Sequence, residues 1–185
     1  QITTFLCSEF TTDPQLSVVD IERFAEIVRR NGVLTLIDAT LSTPYNVKPL
    51  EAGVDFVLHS ATKYLGGHND LLAGAVTGSA ELLDPVRNLR GIMGGVNAPH
   101  NAYLLERGLQ TLALRMERHT PNVPAVPEFL AGRPRVKRAL LPHLPDPPAP
   151  ALPPPTNRRP GVLVPSFLSR AGLRPPHSGF ARRTL

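Results

Sequence analysis

Cysteine is nearly absent from this 185-residue chain, where Cys7 stands alone. A single thiol excludes an intramolecular disulfide framework and fits a reducing compartment, so the cytoplasm is the expected location. Cys7 has no partner pattern for nucleophilic chemistry and reads as a small buried residue. Long hydrophobic runs are missing as well. No stretch approaches the roughly 18 apolar residues that a membrane-spanning helix needs. The first residues, Gln1 to Leu6, lack a charged leader, a long apolar segment and an initiator methionine, and the chain is expected to begin inside a domain. No second pair of ligands at zinc spacing accompanies His59 and His68, which read as satisfied polar histidines.

Proline is scarce in one part of the chain and acid in the other. Only 5 of the 21 prolines precede residue 121. Residues 1–120 carry 10 Lys+Arg against 13 Asp+Glu, while residues 121–185 carry 10 against 2. The net charge of +5 therefore belongs to the tail. A basic balance raises the question of nucleic acid or an anionic membrane, but the part that carries chemical motifs is mildly acidic, and neither partner is expected. Pro124 and Pro127 interrupt the helical period, at about 3 kcal/mol for each interior proline. From Pro142 to Pro155 almost every second or third residue is proline. Such a segment cannot bury enough apolar surface to offset its ordering entropy, and residues 146–185 are expected to be disordered or polyproline-like.

What is present in residues 1–120 alternates strand and helix signals. Gln1 to Ser8 reads as a strand running into the turn Thr11-Thr12-Asp13-Pro14. Asp20 is placed to cap a helix whose apolar positions Ile21, Phe24, Ala25 and Val28 fall at i, i+3, i+4 and i+7. Arg29 and Arg30 suit its C-terminal dipole, and Gly32 can close it. Val33 to Ile37 then reads as a buried strand interrupted by Thr35, with Asp38 at its carboxyl end. Pro49 to Gly53 is a helical turn, and Asp55 to His59 another short strand. Ala73 to Gly78 is a further strand. Ser79 caps a helix that Pro85 interrupts or restarts, and Gly91 to Gly95 is loop. A long helix is predicted from Pro99 to about Arg118, with an apolar stripe of Ala102, Leu105, Leu109, Leu112 and Met116. Gly108 within it costs about 1 kcal/mol relative to alanine. Arg107, Arg115 and Arg118 on that helix read as a solvated or salt-bridged face.

Strand, helix, strand at this spacing is the unit of an α/β sheet, in which ligands collect outside the carboxyl ends of the strands. Lys63 follows one strand and Asp38 ends its neighbour, so the two can face one crevice. Around Lys63 lie hydroxyls at Ser60 and Thr62 and a glycine pair at Gly66-Gly67. Hydroxyls and turn amides of this kind can hold a phosphate within reach of an amine that forms a Schiff base, a description that fits pyridoxal phosphate. A carboxylate at Asp38 would keep a pyridine nitrogen protonated.

These stretches, His59 to Asp70 with Ile37-Asp38-Ala39-Thr40, Thr43-Pro44-Tyr45, Pro49-Leu50 and Arg107-Gly108-Leu109 through Arg115-Met116, resemble the Cys/Met metabolism family of pyridoxal-phosphate-dependent enzymes. This is the transsulfuration group of cystathionine γ-synthase, cystathionine γ-lyase and methionine γ-lyase. The resemblance covers roughly residues 8–120. It implies an α/β fold, the large domain of the aspartate-aminotransferase-like (fold type I) class, truncated here. Residues 1–120 would be the central part of that domain, residues 121–145 the degenerate start of a smaller C-terminal domain, and residues 146–185 the disordered Pro/Arg-rich tail. The tail has the look of a GC-rich gene translated in a shifted frame.

By the same resemblance Lys63 is the catalytic, cofactor-bearing lysine, Asp38 the pyridinium partner, and Ser60 and Thr62 phosphate ligands. Asp13 stands where the family usually has an asparagine against the cofactor's ring oxygen, and an acid there should weaken binding. The implied activity is β/γ-elimination or γ-replacement on a sulfur amino acid, with pyridoxal 5'-phosphate as cofactor, no metal, and a homodimer or homotetramer as the assembly. The competing expectation is a non-catalytic remnant that binds other proteins through its sheet face or proline-rich tail.

Overall fold

The computed structural model describes residues 4–11, 18–131, 136–139 and 166–168. Three short aliphatic segments form its centre: β1 (Phe5–Glu9), β2 (Leu34–Asp38) and β3 (Phe56–Ser60). They run parallel in that order, and β4 (Gly74–Gly78) adds antiparallel to β3. Pairing of Glu9 with Asp38 and of Asp38 with Leu58 brings the carboxyl ends of the parallel strands to one edge. The α/β class read from the sequence is thereby observed.

Between β1 and β2 lies α1 (Ile21–Arg30). Its first turn is closed by Asp20, whose carboxylate accepts the Arg23 amide at 3.0 Å, and Asn31 and Gly32 (φ 63°) end it. Ile21 and Ala25 pack on Phe10, Ile37, Ala39 and Val57, which forms the first core. A helical turn, α2 (Thr43–Asn46), and a 3-10 turn (Pro49–Ala52) cross from β2 to β3, with Gly53 left-handed at φ 88°. Thr35, the one polar residue in β2's aliphatic run, is buried and has a partner for each polar group. Its amide and hydroxyl donate to Asp55 Oδ2 at 2.8 and 2.7 Å, and the hydroxyl accepts the Asp55 amide at 2.9 Å. This latch fixes the amino ends of β2 and β3 against each other.

After β4 come α3 (Ala80–Met93), α4 (Pro99–Gln110) and α5 (Leu112–Ala131). The second core is Ala61, Leu65, Leu112 and Met116, between the loop after β3 and the start of α5. A separate antiparallel pair joins β5 (Val136–Ala139) to β6 (Ser166–Leu168).

Five sequence expectations are corrected. The helix expected from Pro99 to Arg118 is two helices, broken at Thr111, whose amide turns back to Gly108 O at 3.3 Å. The second of them continues to Ala131 through Pro121, Pro124 and Pro127, because Leu112, Met116 and Val123 are buried along one stripe and hold it in place despite the lost amides. Pro85 lies inside α3, which runs on to Met93 and is closed by Gly94 at φ 73°, so most of the expected loop at 91–95 is helical. Cys7 is exposed rather than buried, since β1 is an edge strand. Within the tail expected to be disordered, residues 166–168 pair with β5; the rest of residues 146–185 lies outside the described residues.

Replacing Thr35 by Val should leave the Asp55 amide and carboxylate short of a partner and lower the unfolding free energy by about 1–3 kcal/mol, read from urea denaturation. An unchanged midpoint would show that the latch is dispensable.

Candidate active site

The lysine lies where the parallel strands end. β3 finishes at Ser60, and residues 61–66 form a continuous turn in which the Lys63 amide donates to Ser60 O (3.1 Å) and the Gly67 amide to Lys63 O (2.8 Å). Ala61 and Leu65 on this turn point into the second core and are buried, whereas Lys63 between them is exposed and forms no salt bridge among the described residues. The backbone is thus anchored and the amine is left accessible.

On the neighbouring strand, Asp38 is half-buried. Its Oδ1 accepts both the Thr40 amide (2.9 Å) and the Thr40 hydroxyl (2.6 Å), while Oδ2 makes no hydrogen bond among the described residues. Thr40 was not singled out by the sequence reading, yet it joins the two strand ends, because its hydroxyl also accepts the Ser60 amide at 2.7 Å. An Asp-x-Thr at a strand end, where the side chain can meet the carboxylate two residues back, is the signal that could have found it.

The other expected ligands differ in their engagement. Ser60 sits at the end of β3 beside Thr40, and its hydroxyl makes no hydrogen bond among the described residues. Thr62 is partly committed, since its hydroxyl accepts the Ala73 amide at 3.0 Å and reaches Ala73 O only at 3.4 Å. Its proton is therefore the part free to turn to another acceptor. Asp13 lies outside the described residues. Lys63, Asp38, Ser60 and Thr62 are all on the loops and strand ends of one sheet edge.

Two groups beneath the site carry shifted protonation equilibria. His59 is buried in β3, and burial lowers its pKa from the ordinary 6.5, against the opposing effects of the Asp38 charge and a hydrogen bond to the Ala39 backbone. Its Nδ1 has no partner among the described residues, so the expectation of a satisfied histidine is met only at its hydrogen bond to Ala39; His68 has Nδ1 2.9 Å from Gly66 O. Tyr64, beside the lysine, is pushed up by burial and meets His119 edge-on at 6.3 Å. No group of three metal-ligating side chains occurs among the described residues. A cavity of about 210 Å³ lies at the opposite end of the strands, between Arg29 and Asp55, and takes no part in this arrangement.

Arg115 is a further residue the sequence reading placed wrongly. It does not belong to a solvated face. Its guanidinium donates to Tyr64 O (2.7 Å), Leu65 O (3.4 Å) and Gly108 O (2.8 Å), and Nε to the Thr111 hydroxyl (3.1 Å). Burial lowers its pKa. Gly108, at the end of α4, is pressed against the same loop: a Cβ there would come within 2.7 Å of Leu65 O and closer still to Gly66 O. Gly67, at φ 82°, faces the Arg115 guanidinium.

A lysine presented beyond one parallel strand and a carboxylate ending the next define an α/β domain built to hold a small ligand at its strand ends. The chain belongs to the Cys/Met metabolism PLP-dependent enzyme family, whose model matches residues 1–172. It is 46% identical over 138 residues to the L-methionine gamma-lyase of Pseudomonas putida, covering 74% of this chain and 35% of that protein. To the cystathionine gamma-synthase of Mycobacterium leprae it is 44% identical over 147 residues, 79% of this chain and 38% of that protein. The crystal structure of cystathionine gamma-lyase from Lactobacillus plantarum complexed with L-serine superposes with a TM-score of 0.80 at 34% identity, covering 91% of this chain and 44% of that one. The chain thus spans between about a third and less than half of the length of these relatives. The family is one of pyridoxal-phosphate-dependent enzymes of cystathionine and methionine metabolism, and the fold is theirs.

Two outcomes test this geometry. Gly108→Ala should destabilise the chain in spite of alanine's advantage of about 1 kcal/mol in a helix, because the new methyl displaces the Leu65–Gly66 backbone; a higher melting temperature would contradict the close approach. His59, with a lowered folded pKa, is neutral in both states above 6.5. As pH falls below 6.5 the unfolded chain takes the proton first and stability drops. His59→Gln should flatten that decline in melts recorded as a function of pH.

Proposed function

We propose that this chain supplies the lysine-bearing part of a pyridoxal-phosphate domain acting on sulfur amino acids by β/γ-elimination or γ-replacement, of the cystathionine γ-synthase or γ-lyase kind. The observation that carries the reading is the exposed Lys63, on an anchored turn, at the same sheet edge as an Asp38 carboxylate with one oxygen uncommitted.

The residues fit the group by their donor chemistry. Asp38 Oδ2 can accept a protonated ring nitrogen, while Thr40 holds Oδ1 and so fixes the direction of the other oxygen. The Ser60 hydroxyl and the Thr62 proton can donate to phosphate oxygens. Pyridoxal phosphate, when bound, supplies an electron sink for negative charge at the substrate carbon. Lys63 Nζ would act as the base and acid that moves protons at the substrate's Cα and Cβ, the role that departure of a γ-substituent requires. Burial raises the pKa of the Tyr64 phenol and so disfavours a negative charge next to the amine.

The names of the relatives place synthases and lyases side by side, and this chain spans 25–36% of the length of those proteins. We further propose that the working form is a homo-oligomer in the cytoplasm.

Incubation with pyridoxal phosphate, reduction with borohydride and peptide mapping should place a pyridoxyl group on Lys63, and Lys63→Ala should abolish it. Label spread over Lys48 and Lys137, with none concentrated at Lys63, would favour a non-catalytic remnant.

A further inference from the structure

A guanidinium that is partly buried ordinarily finds a carboxylate, since taking a charge out of water is costly without an opposite one. Arg115 finds none among the described residues. Its acceptors are the carbonyls of Tyr64, Leu65 and Gly108, with the Thr111 hydroxyl on Nε. These carbonyls come from two separate pieces of the chain. Tyr64 and Leu65 directly follow Lys63, and Gly108 lies in the last turn of α4, where its carbonyl also accepts the Thr111 amide and hydroxyl and stands at the negative end of the helix dipole.

The rest of the contact is shaped to suit. Glycine at 108 lets α4 touch the loop backbone, and the left-handed Gly67 lets the loop pass over the guanidinium, where any Cβ would strike it. Met116, the next residue of α5, is fully buried under Ala61 and Leu65. The loop is therefore held from below by apolar contact and from the side by directed hydrogen bonds. Apolar contact alone leaves a turn free to rock; a forked donor on successive carbonyls fixes its rotation.

We infer that Arg115 is a positioning residue for Lys63: through the carbonyls of Tyr64 and Leu65 it sets the orientation of the turn that aims the amine at the crevice ended by Asp38. The inference rests on the cofactor reading above. Arg115 touches neither substrate nor cofactor, and its effect should appear in how readily Lys63 is captured.

The 185-residue chain and its Arg115→Gln, Arg115→Lys and Arg118→Gln forms would each be titrated with pyridoxal phosphate, reduced with borohydride and mapped for label on Lys63. Amide hydrogen exchange would be followed without cofactor. Arg118→Gln removes the same charge from an exposed place on α5 and should match the native chain. In Arg115→Gln, half-labelling of Lys63 should require about tenfold more cofactor or greater, the scale of one lost hydrogen bond to a charged group. The Gly66 and Gly67 amides should exchange faster while those of β2 and β3 keep their protection, and millimolar methylguanidinium should restore part of the labelling. Arg115→Lys keeps the charge and stem but not the fork, and should stay close to the Gln form; it also decides the matter if the Gln form does not fold. Labelling of either Arg115 variant at the native cofactor concentration would overturn the inference and leave the cofactor reading standing. A native chain unlabelled at Lys63 would overturn both.

Discussion

The arrangement at the strand ends depends on one shared hydroxyl. Thr40 Oγ1 donates to Asp38 and accepts from the Ser60 amide, so the last residue of β2 and the last residue of β3 are tied through a single atom. The ladder between these strands is short, with Leu36, Ile37 and Asp38 opposite Phe56, Val57 and Leu58. A pair this short is held in register by what happens at its two ends. Thr35 and Asp55 close the amino end and Thr40 the carboxyl end. A slip of one residue would break both and turn Asp38 to the other face of the sheet.

The lysine turn needs a second constraint, because it leaves the sheet after Ser60 and is no longer governed by the ladder. That constraint comes from α4 and α5. Ala61 and Leu65 enter the core with Leu112 and Met116, which fixes the height of the turn above the sheet, and the Arg115 contacts fix its rotation. Apolar and polar anchoring thereby alternate along the turn with Lys63 left between them. The break at Thr111 belongs to the same arrangement. A continuous helix from residue 99 to 118 would give the carbonyl of Gly108 to the amide four residues on, whereas at the break it takes the Thr111 amide and hydroxyl together with the guanidinium.

Much of this was legible in the sequence, for identifiable reasons. Asp38 and Lys63 could be found because position in an α/β sheet follows from strand periodicity, and strand ends are where ligands gather. The caps at Asp20 and Ser79 are local, and local signals survive folding. Gly108 and Arg115 were not found because each acts on something distant in the chain, and so does Thr40 in its bond to Ser60, although its bond to Asp38 is local. Gly108 looked like a destabilising residue until its helix was placed against Gly66, and Arg115 looked solvated until Tyr64 and Leu65 were placed beside it. The prolines of α5 misled for the same reason: propensity counts the lost amides, and only the packed stripe of Leu112, Met116 and Val123 offsets them.

Charge supplies the last step. Two ionisable groups near Asp38 and Lys63 are shifted towards their neutral forms. Burial lowers the pKa of His59 and outweighs the Asp38 charge, which disfavours an imidazolium beside the carboxylate. Burial raises the pKa of the Tyr64 phenol next to Lys63, which disfavours a phenolate there. Among the described residues the negative charge of Asp38 is shared only with the neutral donors of Thr40 on one oxygen, and the other oxygen can accept a further donor. A partner that suits it carries an N–H donor and a positive charge together, a requirement that a neutral ring or an alcohol does not meet and a protonated pyridine does.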